Sequence, residues 1–260
     1  MNCQIISFIN YKGGVGKTTS AVIISRLLSE KYGNVLLIDT DPNYHATGIL
    51  LDSDVKVTKT FSDFLKSSNI KDCILNTTYA NLDIIPGSLE TASVEKKVKN
   101  KNIIKNKIKT FKKQNLSYQF IIFDTPSTAG FIIDSVITAS TINLIPLQPD
   151  LSSLNGVKNI VSNIGKIAYY NKRTIHFFIF FTLLHQSISA EKNILENIKS
   201  KVSQILLDVG IYFDKSVIEA NASGDDILKA YPGSEINIKY DKLLKLLFER
   251  IKLIEGTQNE

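Results

Sequence analysis

The chain has 260 residues, of which 43% are hydrophobic and 22% are charged, and its formal net charge is +6. Two cysteines are too few for a disulfide scaffold, and no apolar run reaches the roughly 18 residues that a membrane span requires. The amino end shows no pattern of a secretory signal. We therefore expect one large α/β domain over residues 1–260, located in the cytoplasm.

A glycine-rich loop follows the first predicted strand. Residues 4–10 have strand composition, and residues 20–32 repeat apolar side chains at helical spacing. In a loop of this kind, glycines let backbone N–H groups approach phosphate oxygens, a lysine neutralises those oxygens, and a hydroxyl group holds Mg²⁺. The helix that follows favours an anion at its first turn. The predicted nucleotide-binding residues are Gly13, Gly14, Val15, Gly16, Lys17, Thr18 and Thr19.

This loop departs from the common pattern G-x-x-x-x-G-K-[ST]. The first glycine of that pattern would fall at Tyr11, and a second lysine, Lys12, precedes Gly13. Because Lys17 already serves the β- and γ-phosphates, Lys12 needs another target.

Two later apolar runs end in carboxylates. Residues 35–38 lead to Asp39 and Asp41, and residues 120–123 lead to Asp124. Parallel strands deliver their carboxyl ends to one edge of a sheet, so we expect these side chains to converge on the nucleotide. Mg²⁺ takes few carboxylates together with waters and phosphate oxygens. We therefore assign Thr18 directly to the metal, Asp39 and Asp124 to its waters, and Asp41 to the attacking water.

The three motifs together resemble the ParA/MinD family of deviant Walker A ATPases. The matching segments are KGGVGKTT at 12–19, the strand ending in D-T-D-P at 35–42, and the Walker B strand at 120–127. The resemblance implies ATP and Mg²⁺ as cofactors, catalytic roles for Lys12, Lys17 and Asp41, and hydrolysis that is weak unless a partner stimulates it. It also implies that Lys12 crosses to the nucleotide of a partner subunit, so that two ATP molecules lie between the protomers of a homodimer.

Further apolar runs alternate with helical stretches, which predicts a doubly wound, mostly parallel sheet with helices on both faces, the P-loop NTPase fold. The runs lie at residues 82–85, 120–124, 142–146 and 175–183. The insertion at 52–81 is polar, with a local helix predicted at 60–66. The first strand starts within a few residues of Met1, so we do not expect the N-terminal helix-turn-helix domain of the larger plasmid ParA proteins.

Lysines are concentrated at residues 95–113, a segment that contains nine lysines and only one acidic residue. Apolar residues recur there at roughly helical spacing, which predicts one amphipathic helix packed on the sheet with its lysines outward. Such lysines form either an ordinary solvated face or a patch that binds DNA phosphates without sequence preference. The candidates for DNA contact are Lys96, Lys97, Lys99, Lys101, Lys105 and Lys109.

The carboxyl-terminal third offers two further observations. Residues 217–226 lack the arginines that chromosomal ParA proteins carry in the corresponding loop, and they are acidic. Residues 241–254 place apolar side chains on one helical face, which suits either a last helix packed on the sheet or a membrane-binding helix of the MinD type. We favour the packed helix and expect no membrane partner.

These observations favour a ParA-like partition ATPase that segregates plasmid or chromosomal DNA. Its ATP-bound homodimer would bind DNA non-specifically at the nucleoid, and a ParB-like centromere-binding protein would accelerate hydrolysis. The alternatives are a MinD-like membrane-surface positioning ATPase and a nucleotide-bound scaffold without turnover. The scaffold is disfavoured because the chain has the complete set of Lys17, Thr18, Asp39, Asp41 and Asp124.

Overall fold

The computed structural model describes residues 3–98, 100–150, 153–185, 189–223 and 227–257. Within these ranges, one sheet has the strand order β3-β4-β2-β5-β1-β6-β7-β8, and its pairs are parallel except β3 with β4. The strands are β1 (Gln4–Phe8), β2 (Val35–Asp39), β3 (Leu75–Asn76), β4 (Leu82–Ile85), β5 (Phe120–Asp124), β6 (Ile142–Leu147), β7 (His176–Leu184) and β8 (Leu206–Tyr212). The mostly parallel sheet predicted from the sequence is confirmed.

Helices cover both faces of this sheet. They are α1 (Lys17–Lys31), α2 (His45–Leu50), α3 (Phe61–Lys66), α4 (Thr91–Lys97), α5 (Ile103–Lys109), α6 (Phe131–Ala139), α7 (Ser153–Asn171), α8 (Ser189–Val202), α9 (Lys215–Ser223), α10 (Ile227–Ala230) and α11 (Glu235–Thr257). Helices α1, α2, α9, α10 and α11 share one apolar core with the sheet, and α3 to α8 pack on the other face. Because both faces are covered, β2, β5 and β6 are buried at every position, which explains their continuous apolar runs.

The prediction of one helix through residues 95–113 is wrong. Helix α4 ends at Lys97 and α5 begins at Ile103. Between them the Asn100 side-chain oxygen accepts a hydrogen bond from the Asn102 N–H at 3.0 Å, and the Asn100 carbonyl accepts one from the Ile103 N–H at 2.9 Å. An asparagine that bonds the backbone two residues on competes with the helix, so the chain turns there. Lys99 lies outside the described residues.

The apolar side of this segment nevertheless packs as expected. Ile104 and Phe111 are buried in the core shared with α3 and α6, and Val98, Ile103 and Ile108 pack against that core. The separate prediction of a helix at 60–66 is confirmed by α3, which begins at Phe61.

Helix α11 buries the apolar face that the sequence left open to two interpretations. Leu243, Leu244 and Leu247 are at most 1% exposed and belong to the core under the sheet. The hydroxyl of buried Tyr240 shares a hydrogen bond of 2.8 Å with the hydroxyl of Ser20 on α1. The packed-helix interpretation is thus the correct one. Within the described ranges, no helix is long and apolar enough to cross a membrane.

Shortening a buried side chain on α11 tests this packing. Leu247→Ala leaves a cavity in the core, so we expect the free energy of unfolding to fall by about 2–5 kcal/mol in urea titrations. Leu253→Ala on the same helix is the matched control, because Leu253 is 63% exposed, and its change should stay below about 1 kcal/mol. Equal losses for the two variants would contradict the docking of this face.

Candidate active site

The loop between β1 and α1 is held in shape by the ends of two neighbouring strands. Gly14 and Gly16 adopt left-handed φ angles of 74° and 85°, which a side chain disfavours. The Thr182 hydroxyl of β7 donates to the Val15 carbonyl at 2.8 Å. The Asn10 amide donates to the Pro146 carbonyl of β6 at 2.8 Å, and its oxygen accepts from the Lys12 N–H at 2.9 Å. Hydrogen bonds to β6 and β7 therefore fix the shape of the loop.

Lys17 is buried at the centre of this loop and is 5% exposed. Its ammonium group donates to the Ser127 hydroxyl at 2.8 Å and to the Lys12 carbonyl at 3.2 Å. Burial lowers the pKa of Lys17, whereas the charges of Asp124 and Asp41 raise it. Lys17 thus lies within the glycine loop, and its role at the phosphates stays a prediction. Ser127 was not predicted, although it belongs to the quoted Walker B segment.

Asp124 and Asp39 lie side by side at the carboxyl ends of β5 and β2, where they pair in register. Both carboxylates are fully buried. Neither carboxylate oxygen of Asp124 has a well-formed hydrogen bond within the described part of the chain. Burial raises the pKa of Asp124 and the charge of Asp39 raises it further, while the Thr18 hydroxyl lowers it. Two buried carboxylate oxygens next to a threonine hydroxyl form a donor set that suits a hard cation.

Asp39 is held by a residue that the sequence analysis missed. Its Oδ2 accepts hydrogen bonds from the Thr47 N–H at 3.0 Å and from the Thr47 hydroxyl at 2.7 Å, and Oδ1 accepts from the Asp41 N–H at 3.1 Å. Burial nevertheless raises the pKa of Asp39 to about 6. The backbone bonds of Thr47 and Asp41 fix the carboxylate while leaving lone pairs for water.

Asp41 is the most exposed of the three carboxylates, at 8%. Its Oδ1 accepts from the Asn43 N–H at 2.9 Å and from the Asn43 side-chain amide at 3.1 Å. Because both bonds fall on one oxygen, Oδ2 is able to accept a hydrogen bond from water. This arrangement suits a residue that orients a nucleophile.

Gly87, which follows β4, is a second residue that the sequence analysis missed. A Cβ atom there would lie 2.8 Å from Cγ of Asp39 and 3.0 Å from the Asp41 carbonyl oxygen. The Gly87 N–H also donates to the Thr47 hydroxyl at 2.9 Å. Only glycine allows this close approach. The dipeptide Pro86-Gly87 after an apolar run was the one local signal for it.

Adding that methyl group is expected to displace the carboxylate of Asp39. We expect Gly87→Ala to lower ATP turnover at least about tenfold, because small misplacements of catalytic groups are costly. Gly48→Ala is the matched control, since a Cβ atom there meets nothing within 4 Å and alanine favours the helix. Initial rates of phosphate release check this, and equal activity of the two variants would contradict it.

Lys12 does not join the other catalytic candidates within one chain. Its side chain is 41% exposed, forms an ion pair with Asp150, and donates to the Gln148 side chain at 3.4 Å. Lys12 therefore lies at the carboxyl end of β6, on the surface beside the loop. The role across a subunit interface stays a prediction.

Because Asp39 and Asp124 are buried, we expect the stability of the protein to depend on pH. The unfolded-state pKa of an aspartate is near 4, and burial raises the folded-state pKa of Asp39 to about 6 and that of Asp124 also upward. The folded state therefore binds more protons than the unfolded state, so the nucleotide-free protein loses stability as pH rises from about 4 through 6.

Removing the Asp124 charge should reverse part of this loss. We expect Asp124→Asn to raise the free energy of unfolding by about 1–3 kcal/mol at pH 8 without nucleotide or Mg²⁺, and by less at pH 5, because the raised pKa of Asp124 favours the neutral carboxyl as pH falls. Urea titrations at the two pH values measure this, with exposed Asp52→Asn as the control. Lower stability of Asp124→Asn at pH 8 would contradict it.

Comparisons with known proteins agree with this geometry. A family model described as an AAA domain, AAA_31, matches residues 3–177, more than half of the chain. The chain belongs to this family. The sporulation initiation inhibitor protein Soj of Bacillus subtilis is 27% identical, over 89% of this chain and 92% of Soj. The chromosome partitioning protein ParA of Caulobacter vibrioides is 22% identical, over 86% of each chain. The resemblance to ParA-type deviant Walker A ATPases is confirmed.

Solved structures show the same fold. A putative plasmid partition protein from Borrelia burgdorferi, bound to AMPPNP, aligns with a TM-score of 0.82 over 96% of this chain and 100% of that chain. Its sequence identity to this chain is 21%, so the similarity concerns the fold alone.

Proposed function

We propose that this ParA-family ATPase works as a DNA partition protein that dimerises on ATP. ATP would close a homodimer that binds DNA without sequence preference, and hydrolysis would release it. The observation that carries the proposal is that Lys17, Asp39 and Asp124 lie together at the glycine loop, with Lys12 on the adjacent surface. The partition proteins among its relatives support a role in DNA partition.

The residues at this site fit Mg²⁺ bound with ATP. Asp124 supplies two buried oxygens that have no well-formed hydrogen bond among the described residues, Thr18 supplies a hydroxyl beside them, and Asp39 is fixed by Thr47. We assign Thr18 to direct ligation, and Asp39 and Asp124 to the waters of the ion. When bound, Mg²⁺ would neutralise phosphate charge during transfer.

The protein's own groups then position and stabilise the reacting atoms. Lys17 holds a positive charge against the β- and γ-phosphates, and the backbone N–H groups of residues 13–19 bind their oxygens. Asp41, oriented by Asn43, holds the attacking water. Lys12 is assigned to the nucleotide of the partner subunit. Turnover is expected to be slow without a ParB-like centromere-binding protein.

The proposed location is the cytoplasm, at the nucleoid, with residues 1–260 acting as one ATPase domain. A membrane role of the MinD type has little support, because the apolar face of α11 is buried in the core. DNA contact would fall on the lysine-rich segment of α4 and α5, since residues 217–226 carry no arginine.

Retention on random-sequence DNA tests the proposal. The full chain is passed over immobilised duplex with ATP, with ADP and without nucleotide, at increasing salt. We expect retention with ATP only, and a binding constant that falls steeply with salt. Equal retention in the three states, or liposome binding without DNA binding, would overturn it.

A further inference from the structure

Two stretches of the sequence without acidic residues meet on one face of the fold. Neither residues 96–123 nor residues 151–190 contain an aspartate or a glutamate. Helix α5 of the first stretch packs against α6, and α6 packs against α7 of the second. The two lysine-bearing helices thus flank α6.

The cations gather at the carboxyl end of α6. Arg173, just after α7, donates from Nη2 to the carbonyls of Ile137 and Ser140 at 3.1 and 3.0 Å. On α5, burial lowers the pKa of Lys105, and the nearby charges of Arg173 and Lys109 lower it further. Like charges brought this close favour an anion between them. Lys172 lines the same cavity as Arg173, and we call Lys105, Lys109, Lys172 and Arg173 the basic edge.

Two acidic side chains contact the first half of α6. Asp134, in the first turn, pairs with Lys101 at 2.6 Å and accepts a hydrogen bond from the Asn163 side chain at 2.8 Å. Glu95 accepts a hydrogen bond from the Ile132 N–H at 3.1 Å. Both carboxylates therefore have partners of their own on this face, whereas Arg173 bonds carbonyls at the carboxyl end of the helix.

Two tyrosines stand beside these cations. Tyr169 and Tyr170 are 80% and 81% exposed, and their rings make an edge contact at 5.6 Å. Together with Lys172 and Arg173 they line an open cavity of about 800 Å³ with an apolar floor that includes Ile164 and Phe177. Exposed aromatic rings next to cations combine stacking on bases with attraction to phosphates.

We infer that the basic edge is the surface through which this chain contacts DNA, with Tyr169 and Tyr170 stacking on bases wherever the strands are unpaired. This inference rests on the proposed function and places the DNA-binding surface within the fold. Helices α6 and α7 end where β6 and β7 begin, which is the sheet edge opposite the nucleotide site. DNA bound there would not compete with a partner subunit at the glycine loop.

The lysines that contact DNA then differ in part from those predicted from the sequence. Lys105 and Lys109 belong to the basic edge, whereas the charge of Lys101 is paired with Asp134 in the first turn of α6. Lys96 and Lys97 end α4, before the turn at Asn100. The new members are Lys172 and Arg173, which follow α7.

Charge reversal tests the basic edge. We expect K105E/K109E to weaken ATP-dependent binding to a random duplex at least about tenfold at 0.1 M salt, and to reduce the slope of log K against log salt by about 2. K242E/K252E on α11 is the matched control, with the same change in net charge on exposed lysines of the opposite face. It should lose less than about threefold. Unstimulated ATPase activity and thermal unfolding verify that the variants are folded.

The outcomes separate the inference from the proposed function. If the parent protein hydrolyses ATP but binds no DNA, the proposed function fails. If the parent binds DNA and the two charge-reversal variants lose equal affinity, the location fails alone.

The tyrosines are tested with a single strand of the same length. Y169A/Y170A should lose affinity for the single strand several-fold more than for duplex, while Y169F/Y170F should keep it, since phenylalanine retains the stacking surface. Unchanged single-strand binding by the alanine variant would overturn the role given to the rings.

Discussion

Asp41→Ala is expected to reduce ATP turnover by about 100-fold or more while ATP binding and ATP-dependent dimerisation persist. In phosphoryl transfer the protein contributes mainly by positioning, and loss of the group that orients the water leaves the phosphate contacts intact. Asp41 is suited to this test because Asp39 and Asp124 carry the contacts assigned to Mg²⁺. Phosphate release and fluorescent nucleotide binding are the two measurements.

A milder variant separates orientation from charge in this experiment. Asn43→Ala keeps the carboxylate but removes the side-chain hydrogen bond to Oδ1. We expect an intermediate loss of kcat with little change in KM. Turnover of Asp41→Ala at the parent rate would show that another group orients the water.

Lys12→Ala is expected to weaken dimerisation on ATP strongly. Lys12 lies on the surface beside the glycine loop, where a second subunit could meet it, and loss of a charged contact in a buried interface costs roughly 2–5 kcal/mol. The dissociation constant of the dimer should therefore rise at least about 30-fold. Sedimentation at several protein concentrations, with ATP and with ADP, measures it.

Asp150 provides the matched variant for this prediction. In the single chain it pairs with Lys12, and both side chains are partly exposed, at 32% and 41%. Such surface pairs contribute at most about 1 kcal/mol, so Asp150→Asn should free Lys12 and strengthen the dimer by less than about fivefold. A dimer of Lys12→Ala as tight as that of the parent would refute the role across the interface.

Local sequence patterns were enough to predict the framework of this molecule. The strand ends at Asp39 and Asp124 and the glycine loop follow from short runs of apolar residues and from residue types with special backbone freedom. These signals are local, and the parallel sheet then brings them to one edge without further information. The same reasoning predicted the helix α11, whereas its apolar spacing left open whether that face packs on the sheet or on a membrane.

Other features depend on contacts that no short segment reveals. Thr47 on α2 bonds Asp39, Gly87 after β4 leaves room for its carboxylate, and Thr182 supports the glycine loop from β7. Their roles exist only once the strands are in order. The break between α4 and α5 has the opposite cause, since the local bond of Asn100 prevails over helical spacing that the pattern alone would favour.

The hydrogen bonds from the glycine loop to Pro146 and Thr182 have a kinetic consequence. A loop that these bonds hold in shape does not have to be ordered when a nucleotide binds, so we expect nucleotide binding to proceed in one fast phase whose rate rises linearly with nucleotide concentration. Any slow phase in the cycle would then belong to subunit closure, bond cleavage or product departure.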